Sequence, residues 1–167
     1  MITPIEPIMN FDKEKLESEV GHFLEKMLKA TGLDLEFRCE PEDHTMTVWL
    51  SGQDAPMVVS SNARLLYAIN HILNRAFYEK SPQRWSFIVD CNDYRATREA
   101  ELEILAREGA ETVKHSGNLL PLAPMPASER RVVHLALAQE PGVSTESEGT
   151  GAQRRVVILP SISRDDA

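Results

Sequence analysis

The sequence predicts an α+β chain built as two small α/β units, with helices packed on three-stranded sheet. Three observations carry this reading. At 167 residues the chain has room for two modest cores. Segments with apolar residues at every third or fourth position alternate with segments whose apolar residues recur every second position, the marks of helix and half-buried strand. The first such series closes on a mostly apolar run, Trp85-Ser86-Phe87-Ile88-Val89-Asp90-Cys91, and a second series begins directly after it. The chain thus divides into a leader (1–11), a first unit (12–91), a second unit (92–160) and a polar tail (161–167).

Proline interrupts any regular pattern in the leader. A helix then starts near Asp12 with Leu16, Val20, Phe23, Leu24 and Met27 on one face, and Gly32 stops it where a left-handed cap is usual. Leu33, Leu35, Phe37 and Cys39 alternate with polar residues, as do Met46, Val48 and Leu50, and Pro41-Glu42-Asp43-His44 between them is turn chemistry. This is a hairpin. A second helix spans about 64–78, turning Leu65, Ile69, Ile72, Leu73 and Ala76 to the core, and Ser81-Pro82 breaks it before the 85–91 strand.

The second unit opens with a helix over about 93–115, with Leu102, Leu105, Ala106 and Val113 inward and Gly117 just past its end. A short extended segment (118–122), a helix (128–139) and a hairpin with arms 142–147 and 154–160 complete it.

Composition narrows the function classes. Hydrophobic residues make up 42% and charged residues 26%, a globular balance. The net charge of -8 argues against coating a polyanion by bulk attraction. Residues 1–91 hold 9 Lys+Arg against 14 Asp+Glu, and residues 92–167 hold 9 against 12, so any polyanion must meet a local patch. Apolar runs such as Val156-Val157-Ile158-Leu159 are too short to span a bilayer, and no export signal is visible. Cys39 and Cys91 form no CxxC pair and are expected as buried, reduced thiols of a cytoplasmic protein. His22, His44, His71, His115 and His134 lack metal-ligand spacing, and no nucleophile motif or phosphate-loop lysine is present. The expectation is a protein without catalytic residues, metal or cofactor.

The binding candidates begin with the helix around Arg130. Advancing roughly 100° per residue from Arg130 puts His134 near 40° and Arg131 near 100°. Val132, Val133, Leu135 and Ala136 take the other side. Two guanidiniums and an imidazole thus gather on one face, either as a phosphate site or as a solvated face balanced by Glu129 and Glu140. Arg154 and Arg155 open the last strand, and alternation lets only one of them join that patch. Glu148-Gly149-Thr150-Gly151 reads as a plain hairpin turn. Arg95 and Arg98, beside Tyr94, begin the long helix, where a cation is ill placed. They either salt-bridge to Asp90, Asp93 or Glu101 or hold an anionic partner. Arg64, Tyr67, His71, Arg75 and Tyr78 recur on the outer face of the 64–78 helix, a composition that suits nucleic acid, a protein partner or an unused surface.

Residues 90–160 resemble the R-3-H domain, named for an arginine and a histidine separated by three residues, here Arg130 and His134. Tyr94-Arg95-Ala96-Thr97-Arg98-Glu99, Leu122-Ala123-Pro124-Met125, Glu129-Arg130-Arg131-Val132-Val133-His134 and Val143-Ser144-Thr145-Glu146-Ser147-Glu148-Gly149 are similar, in order and spacing, to the SpoIIIJ-associated (Jag) family of bacteria. That family's first unit is a type II KH domain, which agrees with the helix–strand–strand–helix–strand order. The resemblance implies a cytoplasmic binder of single-stranded RNA, with DNA as an alternative ligand, acting without a cofactor or a membrane span. It also implies a small KH-domain protein as partner; self-association through the outer face of the 64–78 helix is the alternative use of the first unit. Members often carry a further N-terminal domain where this sequence has only the short leader. The family's GxxG loop aligns with Ser60-Ser61-Asn62-Ala63, where both glycines are replaced and only Arg64 follows. Positive φ angles and close backbone approach are therefore expected to be less accessible, weakening or repurposing the KH half.

Overall fold

The computed structural model describes residues 13–79 and 84–161; the leader, Ser81-Pro82 and all but the first residue of the polar tail lie outside that set. The chain separates into two compact units, residues 1–94 and 95–167.

The first unit runs α1 (Lys13–Thr31), β1 (Glu36–Glu42), β2 (Thr45–Ser51), α2 (Ala55–Phe77) and β3 (Ser86–Cys91). Its sheet has the order β1-β2-β3, with β1 antiparallel and β3 parallel to β2. The parallel pair is possible because α2 supplies the crossover between β2 and β3. Period-2 alternation is clean on β2, whose Met46, Val48 and Leu50 are buried. They meet Leu16, Val20 and Leu24 of α1 and Leu66, Ile69 and Leu73 of α2 in one core. Pro41 stays inside β1 because β1 is an edge strand. The other edge is covered. Asn74 donates from Nδ2 to Phe87 O at 2.7 Å and accepts from Phe87 N–H at Oδ1 at 3.0 Å. Asn70 Oδ1 accepts from Val89 N–H at 2.8 Å, so two helix side chains stand in for a neighbouring strand.

Two expectations for α2 are corrected. The helix begins at Ala55 and breaks over Ser60–Ala63, where Ser61, Asn62 and Ala63 have φ of 51°, 59° and 51°. Positive φ is thus adopted without glycine, at about 1–2 kcal/mol per residue. The break is held by Ser60 Oγ donating to Met57 O at 2.8 Å and by complete burial of Ala63. Ile72, expected in the core, is 43% exposed, and Leu66 and Phe77 are buried instead. Apolar residues lie around more than half of this helix, so periodicity could not locate the centre of the buried stripe.

The second unit runs α3 (Tyr94–Ser116), β4 (Leu120–Pro121), α4 (Ala127–Ala136), β5 (Val143–Glu148), a 3-10 turn (Gly151–Gln153) and β6 (Arg155–Pro160). The sheet order β4-β6-β5 makes β6 central, antiparallel to both neighbours. Leu102, Ala106, Ala110 and Val113 of α3 pack with Val133, Leu137, Val143, Val156 and Ile158. Gly109 lets the helix approach β6: a Cβ there would lie 2.7 Å from Ile158 Cδ1. Leu105, expected inward, and Leu135, placed on the apolar side of its helix, are 41% and 62% exposed. Small residues at 106, 109 and 110 draw the buried face of α3 away from Leu105.

Candidate nucleic-acid interface

Rotation of α4 is set by Val133, fully buried, and by Glu129, which is 3% exposed. Arg98 donates to Glu129 Oε2 from Nε and from Nη2, each at 3.2 Å, and from Nη1 to Glu101 Oε2 at 3.0 Å. An acidic residue in the first turn of α4 also opposes the positive end of the helix dipole. Glu129 is therefore no balancing charge on a solvated face; it ties α4 to α3. Arg98 is spent on this tie, and Arg95 is half-buried with an interaction of its own.

With that rotation, Arg130 and His134, one turn apart, face β5. Val143, Thr145 and Ser147 share one face of β5, the first buried and the other two half-buried. Arg130 Nη1 donates to Ser147 Oγ at 3.1 Å. His134 Nε2 lies 2.9 Å from the same oxygen, and its Nδ1 lies 2.7 Å from Thr145 Oγ1. A guanidinium and an imidazole thus converge on one hydroxyl. Arg130 Nε is buried and meets no acceptor among the described residues. No carboxylate among the described residues lies within salt-bridge distance of Arg130. Burial first, and then the charge of Arg130, hold the pKa of His134 below its ordinary value.

Alternation sorts the remaining cations. Ser147 pairs with Val156 and Glu148 with Arg155, so Arg155 projects from the face opposite Ser147. It is bound there by Glu148 Oε1, which accepts from Nε at 2.9 Å and from Nη2 at 2.8 Å. Arg154 has the parity of Val156 and is exposed, with its carbonyl accepting from Met125 N–H at 3.1 Å. Arg155 is thus turned away from Ser147, while Arg154 lies just outside β6, in extended conformation after the 3-10 turn. Arg131 is exposed and takes part in no ion pair among the described residues.

In the first unit, Arg64, His71 and Arg75 are exposed, and Tyr78 is 39% exposed. Tyr67 departs from the expectation of an outward face: it is half-buried against the core. Cys91 is buried and Cys39 half-buried, and neither is in a disulfide. Among the described residues no group of three His, Cys, Asp or Glu could hold a metal ion. No helix among them is long and apolar enough to cross a membrane.

Sequence reasoning did not single out Ser147 and Thr145 as partners of Arg130 and His134. The available signal was their shared parity with Val143 on a strand that follows the Arg130 helix.

Residues 100–160 match the R-3-H domain family. Over 156 residues, 92% of this chain and 69% of the relative, the sequence is 28% identical to RNA-binding protein KhpB of Clostridium symbiosum. It is 25% identical over 138 residues to RNA-binding protein KhpB of Bacillus subtilis, covering 81% of this chain and 66% of that protein. Against RNA-binding protein KhpB of Streptococcus pneumoniae it is 22% identical over 149 residues, 89% of this chain but 45% of the relative.

Proposed function

We propose that this chain, which carries an R-3-H domain and fits the Jag family, binds single-stranded RNA through Arg130, His134 and Ser147, with Arg131 and Arg154 as flanking contacts. The observation that carries the reading is the convergence of a guanidinium and an imidazole on one hydroxyl, with no carboxylate among the described residues in ion-pair contact with either. Such a cluster offers several N–H donors to the non-bridging oxygens of one phosphodiester, and in a chain of net charge -8 it confines the attraction to a small area. The reading assigns no reaction and no cofactor, and an RNA ligand places the protein's work in the cytoplasm.

The first unit fits a KH-like role. Its element order, its parallel β2–β3 pair and the left-handed turn at Ser61–Ala63 support that reading. The exposed face of α2 favours a protein partner or a second copy over RNA, because Ile72 stands 43% exposed among Arg64, His71 and Arg75. An aliphatic side chain neither stacks on a base with a ring nor pairs with phosphate.

The test is fluorescence anisotropy with an unstructured RNA and its DNA counterpart across a salt series. A site of about two to three phosphate contacts gives a log–log salt slope near -1.5 to -2 on a single strand. Arg130→Ala with His134→Ala lowers affinity about tenfold or more and flattens the slope. Equal affinity of the double variant and the parent refutes this placement of the site.

A further inference from the structure

We propose that the outer edge of β1, with the acidic groove between it and α1, binds a basic, extended peptide segment of a protein partner, which adds to the sheet as a fourth strand. The proposal concerns a face remote in sequence from Arg130 and does not depend on RNA binding.

The backbone shows which groups are on offer. Ser86 N–H donates to His44 O at 2.9 Å, so even-numbered residues of β2 turn their backbone groups to β3 and odd-numbered ones to β1. Through the β1–β2 register, Glu36, Arg38, Glu40 and Glu42 therefore bond to β2. Phe37, Cys39 and Pro41 direct their backbone groups outward, and no strand among the described residues pairs with them. This edge presents two N–H donors and three carbonyl acceptors in extended register. Contrast β3, whose outward groups at Phe87 and Val89 are satisfied by Asn74 and Asn70. One edge of the same sheet is closed by side chains of its own unit, and the other pairs with no strand among the described residues.

The groove beside this edge has a volume of about 660 Å³ and is lined by Glu14, Glu17, His22 and Glu25 of α1 and by Phe37, Arg38 and Cys39 of β1. None of the lysines of α1 lines it. Burial, and then the charge of Glu17, push the Cys39 thiol up to about 11, in keeping with an acidic, partly enclosed space. On the other side of the sheet, Glu36, Glu40 and Glu42 project from β1. The one cation of β1, Arg38, is engaged by Glu40 and sits over the Trp49 ring at 6.0 Å.

Side chains of an added strand alternate between these two sides. Either way they meet carboxylates, with Phe37 as an apolar rest for a lysine or arginine stem. RNA is repelled by the same charge. A second copy of this edge would bring like charge to most positions, which leaves a Lys/Arg-rich segment as the occupant.

The probe is a labelled peptide of alternating lysine and threonine, titrated into the whole protein and followed by anisotropy and by backbone amide chemical shifts. The expected result is saturable binding with the largest shifts at the Phe37 and Cys39 amides. N-methylation of alternate peptide nitrogens, which keeps the charge but removes strand pairing, abolishes it. Glu17→Lys with Glu25→Lys weakens it about tenfold, while Arg130→Ala with His134→Ala leaves it unchanged. Equal binding of the N-methylated peptide, displacement by RNA, or no binding at all overturns the proposal. So does concentration-dependent dimerisation that protects the Phe37 and Cys39 amides before any peptide is added, since the occupant is then a second copy.

Discussion

Replacing Glu129 by alanine removes the carboxylate that accepts two N–H donors of Arg98 and leaves a guanidinium that is only 24% exposed short of its partner. Breaking a buried pair on one side costs about 3–5 kcal/mol. Both contacts here are long at 3.2 Å, and Arg98 keeps Glu101, so the lower range of about 2–4 kcal/mol applies. For a unit of this size, that lowers the midpoint of thermal unfolding by roughly 10–20 °C. Both tryptophans, Trp49 and Trp85, lie in the first unit, so their fluorescence reports that unit alone, whereas far-ultraviolet circular dichroism reports both. In Glu129→Ala the dichroism transition splits and its early phase moves down, while the fluorescence transition stays in place. Arg98→Met with Glu129→Met, which removes both charges, recovers most of the loss. A dichroism transition displaced by less than about 1 kcal/mol shows that the pair does not hold α4, and the account of how Arg130 and His134 are aimed fails with it.

Two further predictions concern the same unit. His134 has a folded pKa below its ordinary 6.5, so the unfolded chain binds more protons between the two values. Its contribution to stability is complete above about 6.5 and is lost as pH falls through the lowered folded value. Bound phosphate opposes the effect of Arg130, so RNA affinity rises as pH falls from about 6.5 toward the lowered folded value. Titration of affinity in wild type and His134→Gln checks this, and a pH dependence that survives the substitution contradicts it. Gly109→Val places a Cβ 2.7 Å from Ile158 Cδ1 and 3.3 Å from Leu120 Cδ2 and adds two methyl groups beyond it. It is expected to cost about 1–3 kcal/mol in denaturant unfolding of the second unit, and an unchanged midpoint would show that α3 can move away from β6 freely.

Much of the fold and part of the site can be read from the chain alone, and the boundary follows the range of the interactions. Helix and strand identity, and the i, i+4 placement of Arg130 beside His134, are consequences of backbone period and need no partner from elsewhere in the sequence. So is the alternation by which one member of the Arg154–Arg155 pair must face away. The exposure of Ile72, Leu105 and Leu135 could not be read, because each sits on a helix with apolar residues beyond a single stripe. Which of those residues is buried depends on what the helix packs against.

The same limit applies to the polar contacts. Nothing local to Arg98 says that it will meet Glu129, 31 residues on, in place of an anionic ligand. Nothing local to Ser147 says that it will stand between Arg130 and His134, or to Asn70 and Asn74 that they will close a strand edge. The left-handed turn at Ser61–Ala63 is a still clearer case, since local preference there runs against the conformation adopted. The order of elements and the chemistry carried on each face belong to the sequence, because they rest on short-range geometry. Which cations stay available and which are neutralised was decided by tertiary packing, because burial and charge pairing depend on neighbours that only the folded chain brings together.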